Sequence, residues 1–403
     1  MIKDNSKDTR MAMAQSNYFS IKLTRFLMKI IGFWTVYTRK EKLMLRVNYF
    51  YMLFILSISI TNQSIDLYYC RHDLYEATYT ASTAIPLLIA TVKAITFTVR
   101  KPEITWLLER SQKYFWCKKY NAFEKRIMDK LNKKSMLYMG SYTFFIYGTA
   151  VVYTVYPLFA NIGKTGEDRI LPFHFRLFKV PATRTPYYEI IFGVEVMSAL
   201  HSGICFCCFD NLLCVLTLHV GGQFKILQNR LETIFGNFSE RKSFETYEEF
   251  KECIIYHHLL ITYVEKLECV FCFPLMFQLL MSSIVLCLSG FQLTMASEEL
   301  VKKYLFLSYA ISGIVQVYMI TRICDDIMEE SSSVGNAIYS CSWERTSYIM
   351  FSKLRKDMII VMIRTKYPCY LTAAKFFPIS LKSFTNVMST TASYFTLLQT
   401  MDG

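Results

Sequence analysis

Charge, glycine and proline are all scarce in this sequence of 403 residues: Asp, Glu, Lys and Arg make up 19%, with 14 glycines and 9 prolines. Soluble domains carry about 25% charge, so an ordinary soluble globule is excluded. With 53% hydrophobic residues, disorder, collagen and low-complexity linkers are excluded too. Catalytic signatures are also missing. There is no HExxH, GxSxG, P-loop or GxGxxG, and the six histidines do not cluster with carboxylates at ligand spacing. Cys269 and Cys272 form a lone CxxC without the second pair that a zinc site needs. No enzyme, metal or cofactor is expected. The 13 cysteines are odd in number and fall mostly in apolar runs, where a thiol is a small hydrophobe, so no disulfide framework is implied. The first thirty residues lack the apolar core and cleavage site of a signal peptide, and the first span is expected to insert as its own signal.

What is abundant is apolar sequence in runs of membrane-crossing length, roughly 20 residues for a hydrocarbon core about 30 Å thick. Seven stretches qualify: Val47–Asp66, Tyr75–Val99, Met136–Ala160, Tyr188–Val220, Leu267–Thr294, Tyr304–Thr321 and Leu371–Gln399. The formal charge of +13 is distributed by side. Of 45 Lys and Arg, 34 lie in the N-terminal segment and the connections 100–135, 221–266 and 322–370, against eight in the alternate connections. Cytoplasmic loops carry such an excess. The reading is an all-α, seven-transmembrane helical membrane protein with a cytoplasmic N-terminus and an extracellular C-terminus. Its basic surplus is a topology signal that needs no nucleic acid. The chain divides into a cytoplasmic segment 1–46, spans one to four over 47–220, a cytoplasmic connection 221–266, spans five and six over 267–321, a cytoplasmic segment 322–370 and a bent final segment 371–403. Asn62 opens an Asn-Gln-Ser glycosylation sequon on the outside; the Asn237 sequon lies inside and is expected to stay bare.

Within the cytoplasmic connections, Phe224, Leu227, Leu231, Ile234 and Phe235 recur at helical spacing, as do Phe250, Ile254, Ile261 and Val264. These helices either lie flat on the membrane or bundle beneath it as an anchor. Running directly on from spans favours the bundle. Inside the spans, Lys93 sits near a cytoplasmic end and is expected to snorkel. Asp210 and Asn211 suit a hydrogen bond to a neighbouring helix. Glu195, in the outer half of span four, fits either a structural or a ligand-facing role. Pro378 is expected to break the last span between a short helix and a terminal one starting near Leu381. Asn386, Thr390, Ser393, Leu397 and Thr400 form one stripe of that terminal helix, a pattern suited either to a pore wall with one hydrophobic constriction or to close helix packing.

The C-terminal third carries a resemblance. Glu330-Ser331 to Val334, Ala337 to Trp343, Leu371 to Phe384 with Lys375 and Pro378, and Ser393-Tyr394-Phe395-Thr-Leu397-Leu398 resemble the insect odorant receptors. Asp210-Asn-Leu-Leu213 with His219 and Gln223 is similar to the family's fourth span. The resemblance implies a tetrameric, odorant-gated, non-selective cation channel in the plasma membrane of olfactory sensory neurons. Terminal segments line its pore, the constriction falls on Leu397, Thr390 and Ser393 lie along the wall, and Thr400 and Met401 lie near the outer mouth. The connection 221–266 lacks the large insertion of the family's co-receptor, which implies a tuning subunit that forms a heterotetramer with that co-receptor. By position, a small volatile odorant would meet Thr80, Thr83 and Ala84 on span two, Gly148, Val152 and Tyr153 on span three, Glu195 and Ser198 on span four, and Phe306 and Tyr309 on span six. Two other readings are a G-protein-coupled-type chemoreceptor, opposed by the charge count, and a gustatory-type channel, whose terminal motif is absent.

Overall fold

A chain this apolar satisfies its backbone in hydrocarbon through helices. The computed structural model describes residues 18–34, 39–176, 180–234, 243–295, 300–341 and 348–402. Among them are ten α-helices: α1 (Phe19–Ile30), α2 (Arg39–Cys70), α3 (Leu74–Val99), α4 (Lys101–Ser111), α5 (Ala122–Ala160), α6 (Tyr187–Ile234), α7 (Ser243–Met295), α8 (Leu300–Ser340), α9 (Tyr348–Thr365) and α10 (Leu381–Asp402). The Asn237 sequon, Phe235 and Trp343 lie outside the described residues. Local chemistry sets several boundaries. Asp73 caps α3 by accepting from the Glu76 N–H at 3.1 Å. Asn121 and Glu124 form a reciprocal capping box at the start of α5.

Six helices, α2, α3, α5, α6, α7 and α8, are long and apolar enough to cross a membrane. At 1.5 Å per residue, the 48 residues of α6 and 53 of α7 reach well past a bilayer. α6 is the central helix: 94% of its most apolar stretch is buried, so neighbours surround it on every face. Cys205, Cys207, Cys208 and Cys214 are buried along it as free thiols.

Beyond the bilayer-length portions, the helices pack on one another. Phe224, Leu227, Leu231 and Ile234 of α6 are buried, as are Phe250, Ile261 and Val264 of α7 and Leu354, Met358 and Val361 of α9. Polar ties cross this bundle. Lys225 Nζ lies 3.1 Å from Glu330 Oε1, Gln228 donates to the Glu330 carbonyl at 2.7 Å, and Arg230 pairs with Glu124. Gly335 permits the close approach of α8 to α9, since a Cβ there would meet Thr365 Oγ1 at 2.3 Å.

Two expectations are corrected. Lys93 does not snorkel: it is fully buried, with Nζ 2.8 Å from the equally buried Asp210 Oδ1. Gln316 of α8 donates to Asp210 Oδ2 at 2.6 Å and also to the Tyr142 hydroxyl of α5, so one polar cluster joins four helices. A partner at contact distance competes successfully with the interface. The second correction concerns the segment before α10, which is not a short helix. Thr372–Ala373 (β1) pairs antiparallel with Phe377–Pro378 (β2) around a turn in which Ala374 and Lys375 take left-handed φ of 46° and 67°. Pro378 lacks an N–H and so cannot extend a helical ladder. The hairpin docks on α7, where Ala374 N–H donates to the Cys272 carbonyl at 3.0 Å and Thr372 Oγ1 to Glu268 at 2.8 Å. The terminal helix does start at Leu381.

Removing one partner of a buried ion pair strands the other, so Lys93→Met is expected to lower stability by about 3–5 kcal/mol. Lys93→Met with Asp210→Asn, which keeps an acceptor for Gln316, is expected to recover much of that loss. Melting of the purified variants in detergent checks both; a single variant melting like the parent refutes the expectation.

Candidate ligand cavity

Six helices converge near the ends of α2 and α6 that adjoin the 161–186 connection, and there they enclose a cavity of about 170 Å³. That exceeds the roughly 30 Å³ share of one water and suits one small organic molecule. Its walls are largely apolar, with Ile58, Pro86, Leu87, Ile146, Phe206 and Leu286 among the lining residues. Polar groups enter singly from different helices: Asn62 and Gln63 of α2, Thr83 of α3, Glu195 and Ser198 of α6, and Gln316 of α8. The floor is formed by Tyr142 and Gln316, so the Lys93–Asp210 cluster lies directly behind it.

The connection after α5 folds over the cavity and puts Phe173 and Phe175 into its lining. Phe173 stacks on Tyr153 with ring centroids 5.3 Å apart. Its N–H donates to Glu195 Oε2 at 3.2 Å. Two latches hold this lid to α2. The Asn62 amide donates to the His174 carbonyl at 2.8 Å and accepts from the Arg176 N–H at 2.9 Å. Arg176 Nε lies 2.5 Å from Asp66 Oδ1, and His174 Nδ1 lies 3.7 Å from Asp66 Oδ2 and 3.8 Å from Glu76 Oε2. The neighbouring Asp66 carboxylate, with help from Glu76, raises the His174 imidazole above its ordinary 6.5 despite partial burial.

Of the ten residues expected by position, Thr83, Tyr153, Glu195, Ser198 and Tyr309 line this cavity. The other five do not. Thr80 instead donates to Asp66 Oδ2 at 2.8 Å and supports the latch. Phe306 is buried edge-on against Tyr79, one turn beyond the cavity. Ala84, Gly148 and Val152 are half-buried beside the lining positions. Their helices are the expected ones, but the cavity face of α3 runs through Thr83, Pro86 and Leu87 and that of α5 through Ile146, Thr149 and Tyr153. Spacing defines a stripe and leaves its rotation open. Missed altogether were α2, the lid, and α7, which contributes Ser282, Val285 and Leu286. Gln63 and Gln316, uncharged amides within apolar runs, were the available signal. Asn62, the expected glycosylation acceptor, has its side chain buried in the lid latch.

The terminal helix lies apart from the cavity. One face of α10, through Ser383, Val387, Thr391 and Phe395, packs on α7 and α8: Thr391 donates to the Ser283 carbonyl at 3.4 Å, and Phe395 sits against Gly290. Thr390, Ser393, Leu397 and Thr400 lie on the opposite, exposed face, with Leu397 57% exposed. The Met401 side chain lies outside the described residues. Among the described residues no group of three His, Cys, Asp or Glu side chains is arranged to hold a metal.

A family described as "7tm Odorant receptor" matches residues 73–392. Odorant receptor 13a of Drosophila melanogaster is 23% identical over 365 residues, covering 87% of this chain and 86% of that one. Odorant receptor 67c of the same species is 28% identical over 279 residues, covering 69% and 66%. Among solved structures, the insect olfactory receptor OR5 from Machilis hrabei in complex with eugenol superimposes with a TM-score of 0.81 at 15% identity, covering 99% of this chain and 100% of that chain.

The raised His174 gives the lid a pH dependence of definite sign. Below about 6.5 the imidazole is protonated whether the lid is latched or loose, and its full contribution is present; as pH rises through the raised value that contribution is lost. Hydrogen exchange in the lid, corrected for its intrinsic pH dependence, is expected to accelerate as pH rises above 6.5 and the imidazole loses its proton. His174→Gln is expected to flatten this profile, and Asp66→Asn to speed exchange at every pH.

Proposed function

The chain belongs to the insect odorant receptor family, a family of multi-pass membrane proteins, and on that premise we propose that it is the odorant-binding subunit of a ligand-gated, non-selective cation channel. The cavity beneath the lid is the odorant site and α10 lines the pore. One observation carries this reading: α7 and α8 serve both places. Ser282 of α7 faces the cavity while the carbonyl of the adjacent Ser283 receives the Thr391 hydroxyl of α10. On α8, Gly313 and Gln316 line the cavity, while Tyr318 meets Phe384 of α10 with ring centroids 5.7 Å apart. A ligand that changes how α7 and α8 sit around the cavity therefore displaces the surface on which α10 rests.

Binding shifts the open and closed populations only by its differential affinity for them. A volatile molecule gains affinity chiefly through apolar burial, at about 25 cal/mol per Å², with a few polar contacts fixing its orientation. The complex of the Machilis hrabei receptor with eugenol supports a small molecule of this kind as ligand. In the proposed assembly four α10 helices surround one axis, Leu397 closes it, and Thr390, Ser393, Thr400 and Met401 line the path. The charge distribution supports a cytoplasmic N-terminus and an extracellular C-terminus, with α10 as the seventh crossing. The short 221–266 connection supports the tuning role in a heteromer with the co-receptor, in the plasma membrane of olfactory neurons.

Replacing Leu397 with serine is expected to raise ligand-free current several-fold in cells that express this chain with the co-receptor. Unchanged leak from channels present at the surface counts against the constriction. Odorant-evoked current that persists without the co-receptor counts against the obligate heteromer.

A further inference from the structure

Among the cavity's lining residues there is one carboxylate, Glu195, and no Lys, Arg or His. Glu195 is 6% exposed. Its Oε2 takes the Phe173 N–H at 3.2 Å, whereas its Oε1 is buried with no hydrogen-bond partner among the described residues. The cations nearby are engaged with other carboxylates. Lys93 holds Asp210 at 2.8 Å, Arg176 holds Asp66 at 2.5 Å, and His174 lies between Asp66 and Glu76. A buried carboxylate with one bare oxygen and no counter-charge is costly, and a ligand that brings a cation removes that cost. Tyr153 and Phe173 add aromatic rings to the same lining, surfaces that also attract an ammonium group, whereas the Phe206 ring already carries Lys93 Nζ 4.3 Å from its centroid.

We propose that the cavity selects odorants bearing a basic amine, whose N–H is directed at Glu195 Oε1 while the carbon skeleton fills the apolar remainder. At about 170 Å³ the cavity has room for one small amine, such as a single ring on a short chain. The inference rests on the reading of this cavity as the ligand site and adds the chemical class that it prefers. It assigns Glu195 a direct contact with ligand, beyond its hydrogen bond to the lid.

The test compares three probes of one skeleton, 2-phenylethylamine, 2-phenylethanol and ethylbenzene, by thermal-shift titration of the purified full chain at neutral pH. In the parent protein the amine is expected to bind at least about tenfold more tightly than the alcohol, the ratio equivalent to one charge-assisted contact. In Glu195→Gln, which preserves size and an acceptor for the Phe173 N–H, that ratio is expected to fall below about twofold. Equal affinities in the parent protein, no binding of any probe, or an undiminished ratio in the variant overturns the proposal. The parent comparison decides the matter even where the variant does not fold. Because binding is read without current, the two readings separate. An amine that binds with the stated preference yet opens no channel keeps this inference and counts against the channel reading. Currents evoked equally by all three probes do the reverse.

Discussion

The arrangement of spans depends on one charge of each sign buried where the apolar helices meet. Lys93 of α3 and Asp210 of α6 have no exposed surface and lie 2.8 Å apart. Such a pair adds little net stability over apolar side chains of equal volume, because desolvating both ions offsets their attraction. What it enforces is register. A slide of α3 by one residue swings Lys93 by about 100° around its axis and leaves two bare charges in the protein interior. Gln316 and Tyr142 extend the same constraint to α8 and α5. The cavity floor is thus positioned by the pair behind it, since Tyr142 and Gln316 belong to both.

That constraint leaves α7 and α8 as the elements that connect cavity and terminal helix. Each presents residues to both places, Ser282 and Ser283 on α7 and Gln316 and Tyr318 on α8. Sub-ångström changes at a packed interface are transmitted because close-packed side chains repack between discrete arrangements more readily than they compress. At the other end the same two helices run into the bundle with α6 and α9. The lower half of α8 is clamped there by Lys225–Glu330, by Gln228 on the Glu330 carbonyl, and by the contact at Gly335, and that of α7 by the Tyr256 hydroxyl, which donates to Gln223 of α6 at 2.8 Å. In the proposed channel, motion produced near the cavity would therefore be expressed along their other halves, beside α10.

Hydropathy made six of the seven expected spans legible as helices long and apolar enough to cross a membrane, and helical spacing made the bundled extensions legible, because Phe224, Leu227 and Leu231 alternate with polar residues at the period of a helix. The terminal helix was readable from Pro378 and the residues after it. Partners were not readable. Lys93 and Asp210 stand 117 residues apart, and nothing in the local sequence tells a lysine that reaches the interface from one that meets a carboxylate. The same limit hid the lid: Asn62 satisfies a sequon pattern, yet its amide is occupied by the backbone at His174 and Arg176, more than a hundred positions away. On α5, Tyr153 faces the cavity while its neighbour Val152 does not, a difference in helix rotation that tertiary packing decides.

The terminal helix is the remaining constraint, and it points outward from the single chain. Its hydroxyls are largely satisfied by its own backbone: Ser393 donates to the Ser389 carbonyl, Thr396 to Ser393 and Thr400 to Leu397. Back-bonded in this way, serine and threonine can sit in a membrane at modest cost. The exposed amides of Asn386 and Gln399 have no such recourse, and an uncovered amide in hydrocarbon costs several kcal/mol. A face combining these amides with an exposed Leu397 is poorly matched to lipid and well matched to water or to its own copies. A ring of terminal helices supplies both, water along the axis and protein on either side. In the proposed channel that stripe is thus the feature that suits α10 to assembly.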